Sequence, residues 1–94
     1  MVGGTVFRDP GFALPRAEVT LTMTAAADSV KRIKPQKALS DARGEFLFRV
    51  PPGPAEYKIS IKAEGYESAE QTVRIETLER VDRYFTLKPA PKKE

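Results

Sequence analysis

Residues 41–66, DARGEFLFRVPPGPAEYKISIKAEGY, decide the fold. Phe46, Phe48 and Val50 alternate with Glu45, Leu47 and Arg49, and Tyr57, Ile59, Ile61 and Ala63 alternate with Lys58, Ser60 and Lys62. A period of two buries one face of an extended chain and wets the other, so each run reads as a strand. Between them, Pro51, Pro52 and Pro54 have no N–H to give to a ladder and Gly53 tolerates a positive φ, so the four form a connection. The two strands are expected to pair as a hairpin with a somewhat long loop. The same alternation turns Leu47 outward.

Working outward from this stretch, Val2, Gly4 and Val6 share one face of a first strand that Asp9, Pro10 and Gly11 end with turn chemistry. Phe12 and Leu14 lead into residues 18–24, where Val19, Leu21 and Met23 alternate with Thr20, Thr22 and Thr24, the cleanest half-buried strand signal in the chain. Ala25, Ala26 and Ala27, followed by Asp28 and Ser29, break that pattern and are expected to form a loop or one helical turn. Residues 30–39 lose strict alternation and contain Pro35, which predicts an edge strand or an irregular crossing between sheets. Their basic residues, Lys31, Arg32, Lys34 and Lys37, read as charges that keep an exposed edge from pairing with other chains, with a grip on phosphates or an acidic partner as the functional alternative. Residues 67–81 suit a helix by their Glu, Gln, Ala and Leu content and a strand by Val73 and Ile75. Residues 81–87 form a last strand with Val81, Phe85 and Leu87 inward and Tyr84 outward, followed by the tail PAPKKE.

Composition narrows the chemistry. Ninety-four residues make one domain, with 16 basic and 13 acidic residues interspersed to a net +3, a solvated surface that gives no support to nucleic-acid binding. With no Cys, stability must come from packing and the redox compartment cannot be read. There is also no His, Trp or Asn, which removes the commonest general base, the commonest metal ligand and any N-linked glycan acceptor. No apolar run approaches the roughly 20 residues that span a bilayer, so membrane insertion is not expected, and the N-terminus lacks the pattern of a signal peptide.

Asp41, Gly44, Phe46, Pro51, Pro52, Gly53, Tyr57, Gly65 and Tyr66 together resemble the carboxypeptidase regulatory-like domain, a transthyretin-like β-sandwich whose pattern is Asp, two residues, Gly, any residue, Phe, then Pro-Pro-Gly, Tyr and a later Gly-Tyr. The resemblance extends upstream to Gly4-Thr5-Val6, Asp9, Gly11, Ala17, Val19 and Leu21, and downstream to Phe85-Thr86-Leu87. The chain departs from the pattern by placing Pro54, Ala55 and Glu56 between Gly53 and Tyr57. A PEGA-type repeat shares the Pro-Gly, Tyr and Gly-Tyr half but does not usually carry the segment from Asp41 to Phe46. The resemblance implies a strand over about residues 70–75, and seven strands at spacings of roughly ten residues imply an all-β, antiparallel, two-sheet Greek-key sandwich of the transthyretin-like or immunoglobulin-like kind. One domain is expected over residues 1–88, with residues 89–94 as a solvated tail or linker.

Against that fold, an enzyme reading finds carboxylates, serines, tyrosines and lysines but no recognised constellation. The transthyretin-like family that hydrolyses 5-hydroxyisourate leans on histidines and a C-terminal Tyr-Arg-Gly-Ser, and this chain has neither. In metallocarboxypeptidases the domain sits beside the catalytic one, whose zinc ligands it does not supply. Asp9, Asp28 and Asp41 fall in candidate loops, but no spacing resembles a calcium loop; Asp9 and Asp41 read as turn residues bonding their own backbone. An isopeptide bond of the usual Lys to Asn kind has no Asn to use.

No cofactor, metal or catalytic residue is therefore expected. The resemblance implies a non-catalytic accessory module of a bacterial secreted, cell-surface or periplasmic protein, whose partner is protein: the host polypeptide or another copy. Gly65 and Tyr66 read as a strand-end corner, with sugar stacking as the functional alternative. Leu47 and Tyr84 are the candidate interaction surface. The alternatives are a structural subunit that self-associates through strand edges and a carbohydrate-binding module using Tyr66 or Tyr84.

Overall fold

The computed structural model describes residues 1–9, 11–76 and 80–89. Eight strands occupy them: β1 (Val2–Arg8), β2 (Phe12–Ala13), β3 (Glu18–Ala26), β4 (Gln36–Leu39), β5 (Glu45–Phe48), β6 (Ala55–Lys62), β7 (Ala69–Ile75) and β8 (Val81–Leu87). They form two four-stranded sheets. In sheet A, β1 is central, bonded to β5 and β2 on one side and to β8 on the other, and sheet B has the order β4-β3-β6-β7.

The inward residues are those that alternation selects. Val2 and Val6 of β1, Phe46 and Phe48 of β5, and Phe85 and Leu87 of β8 meet Val19, Leu21, Met23, Tyr57, Ile59, Ile61, Val73 and Ile75 from sheet B in one core. Burying each large apolar side chain contributes about 1.5–3 kcal/mol, so in a domain of this size every inward position matters. Three phenylalanines join the strands of sheet A, with Phe46 6.0 Å from Phe48 and 6.2 Å from Phe85 between ring centroids.

Several expectations change in the folded chain. The hairpin does not form: β5 pairs with β1 in sheet A, whereas β6 pairs with β3 and β7 in sheet B. Pro51, Pro52, Gly53 and Pro54 carry the chain across the sandwich, and the extra Ala55 and Glu56 enter β6 instead of lengthening the loop. Alternation specifies which face of a strand is buried but not which strand lies beside it, so it could not separate a hairpin from a crossing. An eighth strand arises because the turn after Arg8 folds Phe12–Ala13 back onto the end of β1. The pairing of β1 with β8 is parallel, while every other pair is antiparallel. Ala25 and Ala26 stay extended because β6 offers them Glu56 and Ala55 as partners; the break at Thr24 is only a bulge in the register. Tertiary pairing here overrides the helix preference of alanine.

Residues 69–75 are a strand, and the irregular run 30–35 leads to β4 at the edge of sheet B. Of the tail PAPKKE, residues 90–94 lie outside the described residues.

Two glutamines bind the open corners of the sandwich. Gln36 of β4 donates its side-chain amide to the Arg49 carbonyl at 3.1 Å, and Gln71 of β7 donates to the Tyr84 carbonyl of β8, also at 3.1 Å. Each bond ties an edge of sheet B to an edge of sheet A.

One core group is unsatisfied. Tyr57 is fully buried, and its hydroxyl has no hydrogen-bond partner among the described residues; burial pushes its phenol pKa up. A buried hydroxyl without a partner costs about 1–3 kcal/mol. Tyr57→Phe is therefore expected to leave stability unchanged or raise it by about 1 kcal/mol in urea unfolding; a loss larger than that would show that the hydroxyl is satisfied in solution.

Candidate functional site

β1 begins with Val2 and two glycines, all three buried. Gly3 points outward, and a Cβ added there would stand 3.0 Å from Leu47 Cδ1 and 3.2 Å from Asp82 Oδ1, so the missing side chain lets those neighbours close over the backbone. The register of sheet A then builds three outward rows: Leu47, Gly3 and Asp82; Glu45, Thr5 and Tyr84; and Ala13, Phe7 and Thr86. Leu47 and Tyr84, 46% and 67% exposed, lie on this one face on opposite sides of β1. The Phe7 ring stacks on Tyr84 with centroids 6.4 Å apart and planes 25° from parallel, which holds the tyrosine upright on the sheet. A groove of about 410 Å³ runs between Leu47 and Tyr84, flanked by Glu45 and Asp82. Arg80, at the groove's end, pairs with Asp82 at 3.2 Å.

The outer face of sheet B has different chemistry. Cross-strand rows place Lys37, Thr20, Ser60 and Glu70 together, with Thr22, Lys58 and Thr72 beside them. Lys58 Nζ and the Ser60 hydroxyl both approach Glu70 Oε2, at 3.3 and 3.1 Å, and Lys37 pairs with Glu18 at 3.6 Å. The Ser60 hydrogen bond, then Lys58, hold the Glu70 carboxyl below its usual range. Lys31, Arg32 and Lys34 are exposed along the irregular run before β4, and Lys37 lies on that edge strand.

The remaining motif residues are corners. Asp41 Oδ1 accepts hydrogen bonds from the Arg43 and Glu45 N–H groups at 2.8 and 2.9 Å, while its carbonyl accepts from Gly44 N–H at 2.9 Å. Gly44, at φ +76°, presses against β1, where the Val6 N–H donates to its carbonyl at 2.7 Å; a Cβ would collide with the Val6 carbonyl. Phe46 follows directly into the core. Pro52 is exposed, and Gly53 packs against Val30, which folds over that end of the core. Gly65 lies in the turn after β6, and half-buried Tyr66 forms a bridge to Pro89 while packing against the core. Asp9 donates its backbone N–H to the Leu87 carbonyl at 3.0 Å. Among the described residues, no three His, Cys, Asp or Glu side chains gather as a metal cage.

Two residues with clear structural roles were not singled out in the sequence. Ser40 is buried; its hydroxyl donates to the Leu14 carbonyl at 2.7 Å and accepts from Ala17 N–H at 2.8 Å, joining the end of β4 to the corner before β3. A serine between Leu39 and Asp41 looks like any other turn residue, so nothing in its neighbours marks it. Phe7 was hidden because it alternates out of phase with Val2, Gly4 and Val6, and only the pairing of β1 with β8 gives it Tyr84 as a partner.

The sequence pattern that defines the carboxypeptidase regulatory-like domain family matches residues 1–88. The chain belongs to that family. This carboxypeptidase regulatory-like domain has no match among curated proteins. Among solved structures it is similar to 3-chlorocatechol 1,2-dioxygenase from Rhodococcus opacus 1CP, at 14% identity and a TM-score of 0.72, with 95% of this chain and 58% of that one covered. Catechol 1,2-dioxygenase from Pseudomonas arvilla C-1 gives 15%, 0.68, 97% and 52% for the same measures, and chlorocatechol 1,2-dioxygenase from Pseudomonas putida 13%, 0.71, 93% and 58%. At such identities the likeness is one of fold, and the domain spans little more than half of each dioxygenase chain.

Two outcomes test the corners. Ser40→Ala strands a buried N–H and a buried carbonyl and should cost about 1–3 kcal/mol in urea unfolding. For Asp41, the backbone hydrogen bond from Glu45, then that from Arg43, hold the carboxyl below its ordinary value of about 3.8. The folded state thus favours the charged form, so its contribution is present above the unfolded pKa and lost as pH falls through the folded one. Asp41→Ala should be less stable than the parent at neutral pH, with the gap narrowing as pH drops from about 5 toward 2; a gap independent of pH would assign the effect to turn geometry.

Proposed function

We propose that this domain is a non-catalytic module that binds, spaces or stabilises within a larger secreted or cell-surface protein, meeting a protein partner on the outer face of sheet A. The observation that carries the reading is the difference between the two outer faces. Sheet B presents cross-strand ion pairs and threonines, with exposed Leu39 set at its edge on β4. Sheet A presents Leu47 and Tyr84 beside a groove, with Phe7 stacked on the tyrosine and Gly3 closed over by its neighbours. Exposed aromatic and aliphatic groups fixed on a scaffold lose little conformational entropy on binding, and tyrosine is favoured at the centres of protein interfaces.

The family description names a regulatory-like domain, which supports an accessory role. The dioxygenases act on catechols as whole proteins, and this domain corresponds to little more than half of each, so their chemistry is not carried over. The alternative is a subunit that self-associates through the same face, and a third reading places a saccharide on Tyr84 or Tyr66.

Light scattering over a wide concentration range separates the first two of these readings. The chain should remain near its monomer mass of 10.4 kDa. The double variant Leu47→Ser, Tyr84→Ser should stay folded and lose the binding of a dye that reports apolar surface, whereas Lys58→Ser in sheet B should keep it. Growth of mass with concentration, abolished by the double variant, would replace the partner reading with the self-associating subunit. Dye binding unchanged in the double variant would remove the docking face.

A further inference from the structure

The first and last strands are neighbours that point the same way. β1 and β8 run in parallel register from Val2 facing Val81 to Arg8 facing Leu87. Further bonds extend the ladder at both ends: Val81 N–H donates to the Met1 carbonyl at 2.9 Å and Asp9 N–H to the Leu87 carbonyl at 3.0 Å. The backbone therefore enters β1 at one pole of the sandwich and leaves β8 at the opposite pole. Tension along the polypeptide draws β1 toward the first pole and β8 toward the second, along the strand axes. Parallel ladder bonds are evenly spaced, so they share such a load and must give way together. Antiparallel terminal strands would have both attachment points at one pole, and the same tension would part their bonds in succession.

A second feature opposes sliding. Gly4 faces Arg83, whose carbonyl fills the room that a Cβ at position 4 would need, and the Phe46 ring closes the same space. A slip of two residues toward the first pole, the smallest that restores the alternation of faces, would bring Val6 to the place of Gly4. Its branched side chain has no space there. On the outer face, Phe7 stacked on Tyr84 links the two strands diagonally.

We infer that this domain is a tension-bearing segment of a longer polypeptide, with the β1–β8 pair as a shear clamp that keeps the sandwich folded when neighbouring segments pull on it. The inference rests on the reading of the chain as a module of a larger protein, since only neighbours can apply the load.

The chain has no cysteine, so introduced ones are unique attachment points. Single-molecule pulling between the N-terminus and Lys88→Cys loads the pair in shear. Pulling the double variant Asp9→Cys, Lys88→Cys, whose sites are exposed at one pole, parts it from that end. A second peeling axis, from the N-terminus to Arg80→Cys, repeats the comparison at the other pole. With chemical unfolding midpoints matched among the variants, the shear axis should need a several-fold higher unfolding force at equal loading rate, because forced unfolding follows the barrier along the pulled coordinate. Equal or lower force along the shear axis would overturn the inference. Neither molar mass nor dye binding enters this comparison, so its failure would leave the docking face standing, and the loss of that face would leave the force ratio unchanged.

Discussion

The backbone ladder of β1 supports all of sheet A. Its partner on one edge is β8 along the full length; on the other edge β5 takes the first half and β2 the last two residues. No other strand of that sheet has more than one neighbour, so removing β1 would leave three separate strands facing sheet B. Its composition fits that position: Val2 and Val6 fill the core, while Gly3 and Gly4 allow neighbouring strands to approach where side chains would hold them off. Two adjacent glycines would weaken an isolated strand, but pairing on both edges restrains them.

The same dependence orders the assembly of the chain. Sheet B is built from β3, β4, β6 and β7, which are available once residue 75 has been made. Sheet A is incomplete until β8 joins β1 across almost the entire chain. Contacts of such long sequence separation slow folding, so the central strand of sheet A must wait for its last partner.

Much of the architecture is legible in the sequence because a two-sheet sandwich rests on alternation. The inward sets Val19, Leu21, Met23 and Tyr57, Ile59, Ile61 follow directly from a period of two, as do outward Leu47 and Tyr84. What alternation does not contain is adjacency. It could not say that Phe46 and Tyr57 belong to different sheets, that the last strand lies parallel to the first, or that Ala25 and Ala26 would find partners on β6. The candidate face was legible only as two outward residues; Gly3, Phe7 and the rows that join them exist through register. Ser40 shows the same limit, since its two hydrogen bonds connect segments that sequence distance keeps apart.

The corner glutamines bear on crowding. A strand edge with free carbonyls is a template for foreign strands, and a domain repeated in an array, or concentrated at a surface, meets copies of itself constantly. Gln36 and Gln71 occupy edge carbonyls of Arg49 and Tyr84 with intramolecular donors. An intruding strand must first displace those amides, so the bonds that close the sandwich also discourage cross-pairing between identical neighbours.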